Sequence, residues 1–178
     1  VLTVFGQQLK SQKNQFKKHN STAANKHSLE LIAVGDIMPG TQFPDSSYLP
    51  NEIYGIPEGL SKIHFPEFSD SFHKCLVFGN LEGVLTDSNF EHKTCKDAQN
   101  CYAFKIPERY NAALASVGFN LMSVANNHVA DFGLNGINCS VNALKRANIH
   151  YTGILSHPAD VFLWQGTRIG FTAFSFGP

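Results

Sequence analysis

Three short polar signatures in this chain carry the residue types that bind cations and move protons: Gly35-Asp36-Ile37-Met38, Gly79-Asn80-Leu81-Glu82-Gly83 and Asn126-Asn127-His128-Val129-Ala130-Asp131. Carboxylates, amide oxygens and an imidazole form a mixed oxygen and nitrogen donor set suited to Mn, Mg, Zn or Fe. An imidazole followed three residues on by a carboxylate adds a group able to give or take a proton near neutral pH. Taken singly, each signature is an ordinary turn, because Gly-Asp and Asn-Asn tolerate unusual backbone angles, and a lone His128 reads as a surface or helix-entry histidine. Their shared position makes a site of them: each comes directly after a short apolar run.

Those runs cover residues 29–34, 75–78 and 120–125, and a fourth covers 168–174. Short, predominantly apolar segments between polar stretches are how the buried strands of an α/β sheet read. Residues 107–118, with proline at the start and glycine just past the end, predict a helix. Residues 134–147 predict another, with Leu134, Ile137, Val141 and Leu144 three and four apart on one face. Strand, helix, strand, helix predicts a layered α/β domain. In such a sheet the loops beyond the carboxyl ends of the strands converge, which would gather the three signatures at one edge. Residues 161–174, with Gly166 in the middle, predict a hairpin. The four prolines at 44, 50, 57 and 66 predict a long ordered loop over 43–66.

A chain of 178 residues with 43% hydrophobic content suits one domain with a real core. Five of the 14 basic residues and none of the 14 acidic ones fall within residues 1–28, leaving nine against 14 and a net of −5 beyond. A mildly acidic body without clustered Lys and Arg argues against nucleic acid as the main partner. The basic lead, 1–28, has too few apolar residues to order itself and reads as a flexible tether; the competing reading is contact with a lipid surface. Val1-Leu2-Thr3-Val4-Phe5 is too short to span a bilayer, and a start at Val1 suggests that an upstream piece has been removed. A removed signal peptide or anchor would put the protein in an oxidising space outside the cytoplasm.

Of the four cysteines, Cys75 and Cys139 sit among apolar residues and read as small buried hydrophobes. Cys95 and Cys101 bracket a polar segment, 96–100. A disulfide closing that loop is the preferred reading; two free thiols or a zinc pair compete with it, although the spacing is not the C-x-x-C of a structural zinc site. No dinucleotide fingerprint, P-loop, G-x-S-x-G or H-E-x-x-H occurs, which sets aside nucleotide binding and the common serine-hydrolase and zinc-protease chemistries.

The order Gly-Asp-Ile-Met-Pro-Gly, Gly-Asn-Leu-Glu-Gly-Val-Leu-Thr, Tyr102-Ala103-Phe104-Lys105-Ile106-Pro107 and Ala-Asn-Asn-His-Val-Ala-Asp-Phe-Gly resembles the bacterial CapA or PGA-cap family, linked to poly-γ-glutamate capsule synthesis. The resemblance runs from about residue 29 to the end. It implies a layered α/β sandwich like that of the calcineurin-like metallophosphoesterases, whose strand-end motifs hold two metals. It implies Asp36 as a ligand of a first metal, Asn80 and Glu82 in the bridging region, and Asn127 as a ligand of a second. His128 would then protonate the leaving group, with Asp131 orienting it. Two departures stand out: Met38 replaces the histidine of Asp-x-His, and Asn80 the aspartate of Gly-Asp. The family continues to a His-Trp-Gly and a His-Pro-His segment, so the carboxyl-terminal part of the domain, and half of the metal site, are expected to be missing here. The implied roles are a capsule or envelope polymer biosynthesis protein, exported or at the cell envelope, in a membrane-bound synthesis or export complex, or else an active metal-dependent hydrolase.

Overall fold

The computed structural model describes residues 29–50, 74–97 and 101–176; the basic lead and residues 51–66 of the proline-rich segment lie outside them. In chain order the elements are β1 (Leu31–Ile37), β2 (Leu76–Leu81), β3 (Val84–Leu85), β4 (Lys105–Ile106), α1 (Tyr110–Ser116), β5 (Leu121–Ser123), α2 (Gly133–Arg146), β6 (His150–Thr152), β7 (Ala159–Trp164) and β8 (Thr167–Thr172). Four of them form a sheet in the order β1-β2-β5-β6, every neighbouring pair parallel. β3 pairs with β4 in a short parallel ladder, and β7 with β8 in an antiparallel hairpin. Among the described residues the fold is therefore α/β, with its long-range pairing carried by a parallel sheet.

Alternation along β2 and β5 sorts the side chains into two cores, because successive residues of a strand point to opposite faces. Val77, Met122 and Tyr151 face one side, where they meet Tyr110 and Leu114 of α1 and Val141 and Leu144 of α2. Leu76, Phe78 and Leu121 face the other, where Phe162 and Phe171 of the hairpin cover them. The sheet is thus sandwiched between helices and a β-ribbon.

Three sequence expectations change. The run at 29–34 is not a buried strand: Leu29, Leu31 and Val34 are 45%, 38% and 41% exposed, because β1 lies at the edge of the sheet while the helices and the hairpin cover β2, β5 and β6. The run at 168–174 lies in the hairpin expected around Gly166, and it is the fourth place in the parallel sheet that changes, going to His150–Thr152, too short to show a period. On α2, Leu134 is 77% exposed; the face turned inward is centred on Gly136, Ser140, Ala143 and Leu144, where small residues let the helix approach β3. Cys75 is fully buried with its thiol 3.1 Å from Glu30 Oε2, whereas Cys139 is only half-buried.

Candidate functional site

Because β1, β2 and β5 run parallel, their carboxyl ends lie along one edge and deliver the three signatures together. A β-bulge sets the register. Ala33 pairs with Phe78, so regular pairing would put Asp36 opposite Leu81, but one extra residue in β1 places it opposite Asn80 instead. A one-residue slip turns every later side chain to the other face of a strand. The bulge is what aims Asp36 at the site.

Asn80 is the centre of the arrangement. Its Nδ2 donates to Asp36 Oδ1 at 2.8 Å and to Glu82 Oε2 at 2.6 Å, while its Oδ1 accepts from Asn126 Nδ2 at 3.2 Å. Asn126 also donates to the Leu81 carbonyl at 2.8 Å and accepts the His128 backbone N–H at 3.0 Å, so the loop after β5 is tied to β2 by one buried amide. Gly83 lets the chain leave this cluster at once. Its φ of 145° lies in the region glycine favours, and a Cβ there would stand 2.9 Å from Ile106 Cδ1 and 3.2 Å from the Phe104 carbonyl.

His128 occupies the other half. Its Nδ1 lies 2.8 Å from Asp131 Oδ2, and Asp131 is fully buried. The same oxygen accepts the Phe104 N–H at 2.7 Å, and Asp131 Oδ1 pairs with Lys93 Nζ at 2.6 Å. An ionised carboxylate only accepts, so Nδ1 carries the proton and Nε2 offers its lone pair. Phe104 stacks on the imidazole with centroids 4.2 Å apart, and Nε2 points toward Glu82, 3.9 Å from Oε1. Burial, then the charges of Asp36 and Asp131, push the Glu82 carboxyl above its ordinary range, against lowering by the Asn80 hydrogen bond and by His128. A carboxyl and an imidazole are thereby held side by side, each able to exchange a proton with a bound molecule.

Of the residues singled out in the sequence, Asp36, Asn80, Glu82, His128 and Asp131 form one connected network. Asn127 is exposed, while Asn126 beside it, to which the sequence assigned no role, ties two strand ends together. Lys93 and Phe104 were missed as well. Phe104 lies in the Tyr-Ala-Phe-Lys-Ile-Pro motif, but nothing marks Lys93 in the sequence. Met38 is 44% exposed, its thioether accepting the Gly40 N–H at 3.3 Å. A cleft of about 480 Å³ adjoins the network, lined by Met38, Phe43, Tyr48, Tyr102 and Phe104 among others. Cys95 and Cys101 are joined at its rim, their Cα atoms 5.5 Å apart.

As a seat for a metal, the cluster offers the two carboxylates of Asp36 and Glu82 on either side of one amide, with the Nε2 of His128 beyond. Hard oxygen donors of this kind fit one divalent cation. Among the described residues, no three of His, Cys, Asp and Glu converge closely enough to hold a metal unaided. No helix among them is long and apolar enough to cross a membrane.

Residues 30–177 match the family described as Bacterial capsule synthesis protein PGA_cap. Similar curated proteins include the capsule biosynthesis protein CapA of Bacillus anthracis, 27% identical over 110 residues, which cover 55% of this chain and 27% of that one. Two uncharacterized proteins of Sinorhizobium fredii, y4uA and y4sH, are each 26% identical over 140 residues, covering 75% of this chain and 26% of theirs. The chain spans about a quarter of the length of the curated relatives it matches.

Proposed function

The chain belongs to the bacterial capsule synthesis family PGA_cap, and on that premise we propose that it serves the biosynthesis of a poly-γ-glutamate-type envelope polymer through acid–base chemistry at a metallophosphoesterase-like site. The observation that carries this reading is His128. Its Nδ1 is fixed by a buried carboxylate, its ring is stacked on Phe104, and its Nε2 is turned toward Glu82. A histidine with no task beyond packing does not need this much positioning.

Asp131 holds the imidazole in one tautomer, and His128 Nε2 gives or takes the proton at the reacting oxygen. Glu82, its carboxyl pushed up by burial, stands 3.9 Å from His128 Nε2, a gap that one water would bridge to pass that proton between them. Asp36 and Glu82, with Asn80 and with Asn127 from the loop after β5, are the residues that would hold divalent Mn, Mg, Zn or Fe. Such a cation supplies positive charge to a phosphoryl or acyl oxygen. An envelope-related location, supported by the capsule biosynthesis relative, belongs to the same proposal, which extends it to export and to a membrane-bound synthesis or export complex as partner.

One observation favours a second reading, in which the fold is a non-catalytic scaffold in that complex. The Asn80 amide donates to one oxygen of each carboxylate, so the two acids are already bridged by a protein group where a cation would bridge them. Elemental analysis of the purified chain after exposure to Mn, beside Asp36→Ala and His128→Ala, tests the two, together with a generic phosphodiester assay. The hydrolase reading expects metal lost in Asp36→Ala, kept in His128→Ala, and turnover lost in both. A wild-type chain with neither metal nor turnover selects the scaffold.

A further inference from the structure

We propose that Lys93 is a positioning residue for His128, and that the Cys95–Cys101 disulfide is what keeps it in place. The proposal deepens the acid–base reading above and rests on it only in taking His128 as the working imidazole.

Lys93 touches Asp131 twice. Its Nζ pairs with Oδ1 at 2.6 Å, and its backbone N–H donates to the Asp131 carbonyl at 2.7 Å. Neither contact depends on a regular element: residues 91–95 have no strand or helix on which to hang. Two residues later the chain reaches the bridge from Cys95 to Cys101, and Cys101 Sγ lies 3.9 Å from the Lys93 carbonyl. Three residues past Cys101 comes Phe104, whose N–H donates to Asp131 Oδ2 and whose ring stacks on His128. The bridge therefore joins the two stretches of chain that grip Asp131 from opposite sides. The Lys93 charge beside Oδ1, which accepts no hydrogen bond of its own, and the Phe104 amide on Oδ2 hold the carboxylate from two sides, and its orientation sets the direction of the Nδ1–H bond. With Lys93 removed, nothing charged holds Oδ1, the carboxylate is free to swing about its Cβ–Cγ bond, and the Nδ1–H bond to Oδ2 is no longer kept in one direction.

The test needs no substrate. In ¹⁵N-histidine-labelled protein, the His128 ring gives an Nδ1–H signal, assigned by its loss in His128→Asn, and its exchange with water is timed. Wild type and Lys93→Arg are expected to keep a slowly exchanging Nδ1–H. Lys93→Met, which retains the apolar stem, and Cys95→Ser/Cys101→Ser are expected to exchange at least about tenfold faster, with a growing share of the Nε2–H tautomer, while the His150 signals stay in place. Should Lys93→Met not fold, Lys93→Gln takes its place, and wild-type chain treated after folding with a phosphine, which with one water cleaves the disulfide to two thiols as it becomes the phosphine oxide, tests the disulfide separately. An unchanged Nδ1–H signal in these forms overturns the proposal even where His128→Ala abolishes turnover. A lost signal with turnover indifferent to His128 leaves this proposal standing and removes the acid–base reading.

Discussion

Replacing Asp131 by Asn keeps the volume of the side chain and removes one charge, so its effect can be worked from three contacts. Phe104 N–H and His128 Nδ1–H both donate to Oδ2, at 2.7 and 2.8 Å, and Lys93 Nζ sits 2.6 Å from Oδ1. If the amide oxygen takes the place of Oδ2, both hydrogen bonds survive without charge assistance, a loss of roughly 1 kcal/mol each. The amide NH₂ then faces the Lys93 ammonium, donor against donor. Lys93 has 30% of its side chain exposed and can turn to water, so that arm costs about 1 kcal/mol more, in the range of an ordinary partly exposed ion pair. The total is about 3 kcal/mol, or a fall in Tm of roughly 6–12 °C for a chain of this size. Urea unfolding of wild type, Asp131→Asn and Asp36→Asn measures it. Asp36 is exposed and accepts one hydrogen bond from Asn80, so its variant should lose less than about 1 kcal/mol. Equal losses in the two variants, or under about 1 kcal/mol at Asp131, would refute the view that this buried carboxylate is the anchor of the site.

Glu82→Gln should make the protein more stable at pH 7. Burial lifts the Glu82 carboxyl above its ordinary 4.5, so its contribution is fully present below that pH and is lost as pH rises through the folded value; Gln escapes the loss and still accepts from Asn80. The gap in unfolding free energy between variant and wild type should be open at pH 7 and close below pH 4.5, and a variant less stable at pH 7 would contradict the sign. Gly83→Ala should cost roughly 2 kcal/mol, from a disfavoured φ and from the contacts its Cβ makes with Ile106 and the Phe104 carbonyl. A thermal melt unchanged from wild type would show that β2 does not need a glycine to turn into β3.

The strand-end signatures were legible because apolar runs and polar turn residues differ sharply, and because parallel strands must all end at the same edge. That logic reached Asp36, Asn80, Glu82, His128 and Asp131. It could not choose between Asn126 and Asn127, since both lie past the end of β5, where the alternation of a strand no longer says which side chain turns inward. Lys93 was out of reach for a different reason: its partner is 38 residues further along, and its placement depends on a cross-link and a loop rather than on any period. The edge position of β1 was also hidden, because Leu31 and Val34 are as apolar as the residues of a covered strand. The hairpin was read from Gly166 and its flanks, whereas His150–Thr152 has too few residues to announce a strand.

The bulge in β1 has a consequence for how firmly the site is held at rest. Asp36 rides on β1, one of the two edge strands of the sheet and the more exposed of them, while Glu82, Asn126 and His128 are tied into the middle of the fold. Local opening needs only the β1–β2 ladder to part, and that ladder is already interrupted between Ala33 and Asp36. Amide hydrogen exchange should therefore run faster along residues 35–37 than along β2 or β5. The acidic wall of the cluster works as a hinged leaf against a fixed jamb, and a ligand that bridges Asp36 and Glu82 would be felt first as a slowing of that leaf.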